Sequence, residues 1–274
     1  MLCKKTKGSK NMRIFLVRHG YSEGNEAQEN YREKGDAQIE LTDLGWEQAV
    51  AAGSFLRDYL DKNPGTKSEL TRLWFSTLMR TRQTTAGLIE GSAGLLKSEH
   101  ARPDSLLIEM DFGLFSHVGD KEEQEEHLPL HAEFWHNSRD RNKYYARPPM
   151  GESPHDVQHR TSTFIGRMMR EKDNGIKDVV VVTHGVTLRA LAMDFLKIDP
   201  EQYDDFDNPE NCSIYMIEGD PENGQKYSFH QIYNGETRQA VNIDWGKKLN
   251  IYQSLLPEVP NRFKLSASKS GPKP

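Results

Sequence analysis

Arg13-Ile14-Phe15-Leu16-Val17-Arg18-His19-Gly20-Tyr21-Ser22-Glu23-Gly24-Asn25 is the stretch on which the fold is decided. An apolar run from Ile14 to Val17 stops abruptly at a cation, an imidazole and a glycine. A short aliphatic run bounded by polar residues suits a buried strand of a parallel sheet. Open α/β sheets hold ligands in the crevice beyond their strand ends, so Arg18 and His19 are expected there. Gly20 would let the backbone bend sharply and an anion approach closely, where a Cβ would obstruct. Three residues alone match by chance, and a histidine after a strand is more often plain hydrogen-bonded structure. The weight comes from the rest of the chain.

Gly24 to Glu40 is polar and reads as a loop over the site. Thr42 suits a helix N-cap. Trp46, Ala49, Val50, Gly53, Leu56 and Leu60 then recur at helical spacing, until Asn63-Pro64-Gly65 breaks the pattern. Leu73-Trp74-Phe75 reads as a second buried strand. Helical character resumes over Ser76 to Thr84, which puts Arg80 at a strand-to-helix turn. Ser105 to Ile108 reads as a third strand with Glu109 directly after it. Ser153 can cap a helix that starts with Pro154, buries Val157, Thr161, Phe164, Ile165 and Met168, and ends at Gly175. Asp178 to Thr183 carries Val179-Val180-Val181-Val182, the clearest central strand, and runs into His184-Gly185 and a helix over Val186 to Lys197. Ser213 to Ile217 and Lys226 to His230 suit further strands at an antiparallel edge.

The pattern implies an α/β fold: a three-layer α/β/α sandwich on a mostly parallel sheet, with one inserted segment. At 274 residues the chain can bury a sizeable core. A single domain is expected over 12–257, with 114–150 inserted as a lid and flexible tails at 1–11 and 258–274. The insertion joins an acidic run, Gly119 to Glu126, to a basic and aromatic segment, His131 to Arg147, closed by Pro148-Pro149. A loop of this length is uncommon unless it covers a pocket, so some helix is expected within it.

Hydrophobic content is 35% and mean hydropathy −0.78, which implies polar tails or a solvated excursion. A net charge of −5 lacks the basic field that nucleic-acid or membrane surfaces require, so neither partner is expected. The two cysteines, Cys3 and Cys212, suggest neither a disulfide framework nor a thiolate zinc site. Met1 to Lys10 is basic without an apolar core, and no apolar run approaches the roughly 20 residues that span a bilayer. A cytoplasmic protein is expected, and the sequence carries no signal of oligomeric state.

Collected, the strand ends offer His19, His184, Arg18, Arg80 and Glu109, a set sufficient for metal-free phosphoryl transfer. A neutral imidazole can attack phosphorus. Arginines hold phosphate oxygens through a planar fork of donors. A carboxyl group can protonate the leaving oxygen and then take a proton from water.

With these residues in place the sequence resembles the histidine phosphatase superfamily, in its phosphoglycerate-mutase-like branch, over about Met12 to Ile217. Arg18-His19-Gly20 with Ser22 and Asn25 resembles the opening motif. Ser76-x-Leu78-x-Arg80-Thr81-x-Gln83-Thr84 is similar to the second, with Thr77 where proline is usual. Glu109 to Gly113 resembles the acid segment, Gly151-Glu152-Ser153 the short motif before the capped helix, and Thr183-His184-Gly185 the closing one. The resemblance implies His19 as the nucleophile that becomes phosphohistidine and Glu109 as general acid and base. Arg18, Arg80 and His184 would bind the transferred phosphoryl, with Asn25 a lesser contact. It implies no cofactor and no metal, and a small phosphorylated substrate.

The expected activity is a phosphatase acting on a small phosphoester. Glycolytic mutases of the branch carry Glu-Arg-His-Tyr-Gly at the acid segment, whereas here Glu109 precedes Met110-Asp111-Phe112. Arg141-x-Lys143 before Pro148-Pro149-Met150 is similar to the basic, proline-rich segment of those mutases and keeps a phosphomutase as the alternative. A phospho-ligand-binding regulatory protein without turnover is the alternative from another class. Arg139, Arg141 and Arg147 could form a lid that reads the far end of the substrate, or equally surface charge over packed aromatics. Glu152 reads as structural. His127 and His131, with His136 beyond, could present metal ligands on one helix face, although the acids around them favour a solvated surface.

Overall fold

The computed structural model describes residues 12–63, 71–116, 118–220 and 225–249. In chain order the elements are β1 (Met12–Arg18), α1 (Glu23–Glu26), α2 (Glu29–Lys34), α3 (Asp43–Lys62), β2 (Thr71–Phe75), α4 (Met79–Gly91) and β3 (Ala101–Pro103). There follow α5 (Lys121–His127), α6 (Pro129–Arg141), α7 (Pro154–Asp173), β4 (Asp178–Thr183), α8 (Gly185–Leu196), β5 (Ile214–Asp220), β6 (Gln225–Asn234), β7 (Gln239–Asp244) and α9 (Trp245–Lys248). The strands form one sheet in the order β3-β2-β4-β1-β5-β6-β7.

The valine run explains the layers. Side chains alternate across a strand, so Val179 and Val181 join Ile14 and Leu16 on one face, under Phe164 and Met168 of α7 and Leu188 of α8. Val180 and Val182 join Phe15 and Val17 on the other, under Ala49 and Leu56 of α3 and Leu88 of α4. All four valines are fully buried, each contributing about 1.5–3 kcal/mol of transfer free energy. This is an α/β/α sandwich. Close approach of α3 and α4 depends on Gly91, where a Cβ would run into the Val50 carbonyl.

Register is pinned by charge as well as by pattern. Arg13 and Asp178 are cross-strand partners of β1 and β4 and pair through two hydrogen bonds of 2.6 and 3.0 Å. A third donor of Arg13 reaches the Asn63 carbonyl beyond α3 at 2.8 Å.

As expected, β1, β2, β3 and β4 run parallel and β5 to β7 form an antiparallel edge of the same sheet. Several other expectations are corrected. The third parallel strand lies at Ala101–Pro103, while Ser105–Leu107 is a 3-10 turn whose start is capped by Asp104, which accepts from Leu106 N at 2.9 Å. Gly24 to Glu40 is not plain loop, since it holds α1, α2 and a 3-10 turn at Asp36–Gln38. Trp46 stays 37% exposed, because the first turn of α3 packs through Gly45 against Gly20 and Tyr21 instead. Gly20 serves that same contact: a Cβ there would meet the Gly45 carbonyl oxygen at 2.5 Å. Thr42 does cap α3, accepting from Gly45 N at 3.2 Å. The segment after β3 folds into α5 and α6, with Phe115, Ala132, Trp135 and Ala146 as a small apolar cluster of its own.

No helix among the described residues is long and apolar enough to cross a membrane. Met1 to Lys10, Pro64-Gly65 and the tail from Pro260 lie outside the described residues.

Candidate active site

The parallel register of β1 and β4 brings the two histidines together. Arg18 pairs with Thr183, so His19 and His184, each one residue past its partner, emerge side by side with ring centroids 5.2 Å apart. The His19 amide donates to the Thr183 carbonyl at 2.9 Å. On the other side of β4, the Ser76 amide after β2 donates to Val182 O at 3.0 Å, and the Ser76 hydroxyl lies 2.8 Å from His184 Nε2. One turn further, Arg80 stands in the first turn of α4, only 1% exposed.

Glu109 follows the 3-10 turn and meets the start of α8, where free amides and the helix dipole favour an anion. Its carboxylate accepts from Val186 N at 3.3 Å, from Thr187 N at 3.2 Å and from the Thr187 hydroxyl at 3.2 Å. Arg160 braces its backbone, donating to the carbonyls of Ile108 and Glu109 at 2.9 and 3.0 Å while paired with Glu152.

His19 Nδ1 lies 2.8 Å from the Gly20 carbonyl. A carbonyl only accepts, so this nitrogen carries the proton and Nε2 keeps its lone pair. Burial, then the charges of Arg80 and Arg18, holds the His19 pKa well below its ordinary value. Burial, then Arg80, His19 and Arg18, does the same for His184. Both rings are therefore neutral at neutral pH. Several buried nitrogens around them lack partners among the described residues: Arg18 Nε, Arg80 Nε and His184 Nδ1. Buried donors are normally satisfied, so this cluster suits an anion with several acceptor oxygens. Arg18 is anchored elsewhere by Pro209 O at 2.5 Å, and Arg80 by Asp36, at 2.8 Å from its carboxylate.

Asn25 Oδ1 accepts from Ser22 N, the Ser22 hydroxyl and Asn211 Nδ2, at 3.1, 3.0 and 3.1 Å, which leaves its own amide donors uncommitted. Asn211 also donates to His19 O at 3.0 Å. Reading the sequence missed Asn211, Pro209 and Arg160, because no local pattern marks a residue that acts from a distant loop.

Beside Arg80 and Glu109 opens a cavity of about 610 Å³ whose outer wall comes from Phe112 and Phe115 and from Trp135, His136 and Arg139 of α6. Of the three arginines expected at the lid, only Arg139 lines it. Arg141 borders a separate cleft of about 210 Å³ with Tyr203 and Asp204, and Arg147 is paired with Asp156. His127 and His131 do not share a helix face, because Leu128-Pro129 ends α5 and begins α6 between them.

The sequence model of the histidine phosphatase superfamily, branch 1, matches residues 14–231, and the chain belongs to that family. A phosphoglycerate mutase-like protein of Arabidopsis thaliana is 32% identical over 214 residues, 75% of this chain and 64% of that relative's length. A 2,3-bisphosphoglycerate-dependent phosphoglycerate mutase of Rhizobium etli is 28% identical over 209 residues, 76% of this chain and 91% of its own. A mycobacterial glucosyl-3-phosphoglycerate phosphatase superposes with a TM-score of 0.61 at 23% identity, covering 81% of this chain and 98% of its own, which bears on the fold.

Proposed function

We propose that the chain is a metal-independent phosphatase that hydrolyses a small phosphoester through a phosphohistidine at His19. The observation that carries this is the unprotonated Nε2 of His19 near buried nitrogens of Arg18, Arg80 and His184 that have no partner among the described residues. The phosphoryl oxygens take those donors, with the Asn25 amide as a further one. Glu109 takes up a proton from solvent as the anionic ester binds beside its carboxylate; His19 Nε2 then forms a bond to phosphorus as the ester P–O bond breaks, and the leaving oxygen receives that proton from Glu109. Water then attacks phosphorus, the N–P bond breaks, Glu109 takes the water's proton, and inorganic phosphate leaves. The fixed cations favour the charge on the equatorial oxygens without reorganisation during the reaction. A small substrate in a cytoplasmic protein fits this reading.

The test is a rapid quench with a phosphorus-labelled ester. Wild type should retain label that survives alkali and is lost in acid, EDTA should not change the rate, and His19→Ala should retain none and lose nearly all turnover. Label persisting in His19→Ala would overturn the assignment of the nucleophile. A relative named as a phosphoglycerate mutase supports the second reading, a phosphomutase, which an isomerised ester without free phosphate would establish. Binding of phosphate with no turnover at all would make the chain a regulatory phospho-ligand binder.

Glu109→Gln separates chemistry from binding. It should lower turnover of alkyl phosphates by about 10²–10⁴ and that of activated aryl phosphates little, since a phenolate leaves without a proton. Equal losses on both would remove Glu109 as the acid.

A further inference from the structure

The cavity that reaches Arg80 and Glu109 is larger than a phosphoryl group requires. At about 610 Å³ it falls among pockets of roughly 300–1,000 Å³ that enclose drug-sized ligands. A three-carbon phosphoester would leave much of it to water, and its walls are poorly suited to that. Phe112, Phe115 and Trp135 line it together with Leu78, Ile108 and Met110, and Phe112 remains 38% exposed. The lid side is a built wall. Phe115 and Trp135 are themselves 3% and 5% exposed, their rings 6.2 Å apart, packed with Ala132 and Ala146. The two ring planes are inclined by 47°, an edge-and-face arrangement that can pack against a further aromatic group.

Beyond the rings the chemistry changes. The Arg139 guanidinium lies 5.4 Å from the Trp135 ring centroid, and no described carboxylate pairs with it. Its α6 neighbour His136 also lines the cavity, and its buried Nε2 has no partner among the described residues. A cation stacked on an aromatic wall beside an unsatisfied ring nitrogen is a place for a polar or anionic substituent.

We propose that this cavity selects phosphomonoesters whose alcohol part is an apolar ring carrying a polar or anionic group at its far end. The ring lies against Phe112, Phe115 and Trp135, and its distal group meets Arg139 and His136. Contacts so far from phosphorus orient the phosphoryl group against His19 and so act on kcat/KM. The inference rests on the phosphoester-hydrolysing reading above and names its substrate class.

The experiment compares esters with similar primary-alcohol leaving groups: 4-carboxybenzyl phosphate, benzyl phosphate and 3-phosphoglycerate. The same protein is titrated calorimetrically with the non-hydrolysable 4-carboxybenzylphosphonate and with methylphosphonate. The order 4-carboxybenzyl, benzyl, 3-phosphoglycerate is expected in kcat/KM. Trp135→Ala and Phe112→Ala should reduce the benzyl to 3-phosphoglycerate ratio by about tenfold or more. Arg139→Ala, at an exposed position, should reduce the carboxybenzyl to benzyl ratio by about tenfold. Preference for 3-phosphoglycerate, or ratios unchanged in all three variants, would overturn the substrate class while leaving the hydrolase intact. Tighter binding of 4-carboxybenzylphosphonate without any phosphate release would support the cavity and overturn the hydrolase.

Discussion

His19 and His184 are a matched pair of buried, neutral imidazoles, and that state has a signature in stability. Burial, reinforced by Arg80 and Arg18, lowers both pKa values in the folded protein, whereas in the unfolded chain a histidine titrates near about 6.5. Above that pH neither state carries the protons, and the contribution to stability is fully present. As pH falls below it, the unfolded chain takes up protons that the folded one refuses. Stability then drops by up to about 1.4 kcal/mol per pH unit for each histidine, until the folded pKa is reached. Urea unfolding of wild type should therefore weaken from pH 7 to pH 5 more steeply than that of His19→Gln, which removes one of the two. Identical slopes would show that His19 is not held neutral. These two residues were legible in the sequence because each directly follows a strand whose apolar run announces it.

At the scale of elements, β1 and β4 are joined by the Arg13 and Asp178 pair, almost wholly buried. Removing one partner strands a buried charge, so Asp178→Asn should destabilise by about 3–5 kcal/mol, while Arg13→Met with Asp178→Leu should come out near neutral. Chemical denaturation of the single and double variants checks both, and a mild Asp178→Asn would show that the pair is hydrated. The elements read correctly from sequence are the helices α3, α4, α7 and α8, marked by spacing or by strand-to-helix turns, and the strands β1, β2, β4, β5 and β6, marked by short apolar runs. Ser105 to Ile108 was misread because a short apolar run does not distinguish a strand from a helical turn. The Asp104 side chain decides for the turn by satisfying Leu106 N. β7 escaped notice because Gln239–Asp244 is an edge strand with mostly exposed side chains, which carries almost no hydrophobic signal.

Taken whole, the molecule divides its labour between halves. The parallel half supplies Arg18, His19, Arg80, Glu109 and His184. The chain leading into the antiparallel half braces them, through Pro209 O on Arg18 and Asn211 on His19 and Asn25. The first set was readable because Arg18, His19 and His184 stand where motif and strand end coincide, while Arg80 and Glu109 are marked by their motifs alone. The second was not, because it is defined only by tertiary proximity. Asn211 reaches His19 across 192 residues of sequence, and Arg13 reaches Asp178 across 165. Such separations make assembly slow relative to local structure. The strand that nucleates the site is thus the earliest of the described strands to be translated and among the last to be enclosed. At ribosomal speeds of roughly 5–20 residues per second, Ile14 to Val17 waits on the order of ten seconds for β4 to be synthesised. During that interval its apolar side chains have neither β4 nor β5 to pack beside.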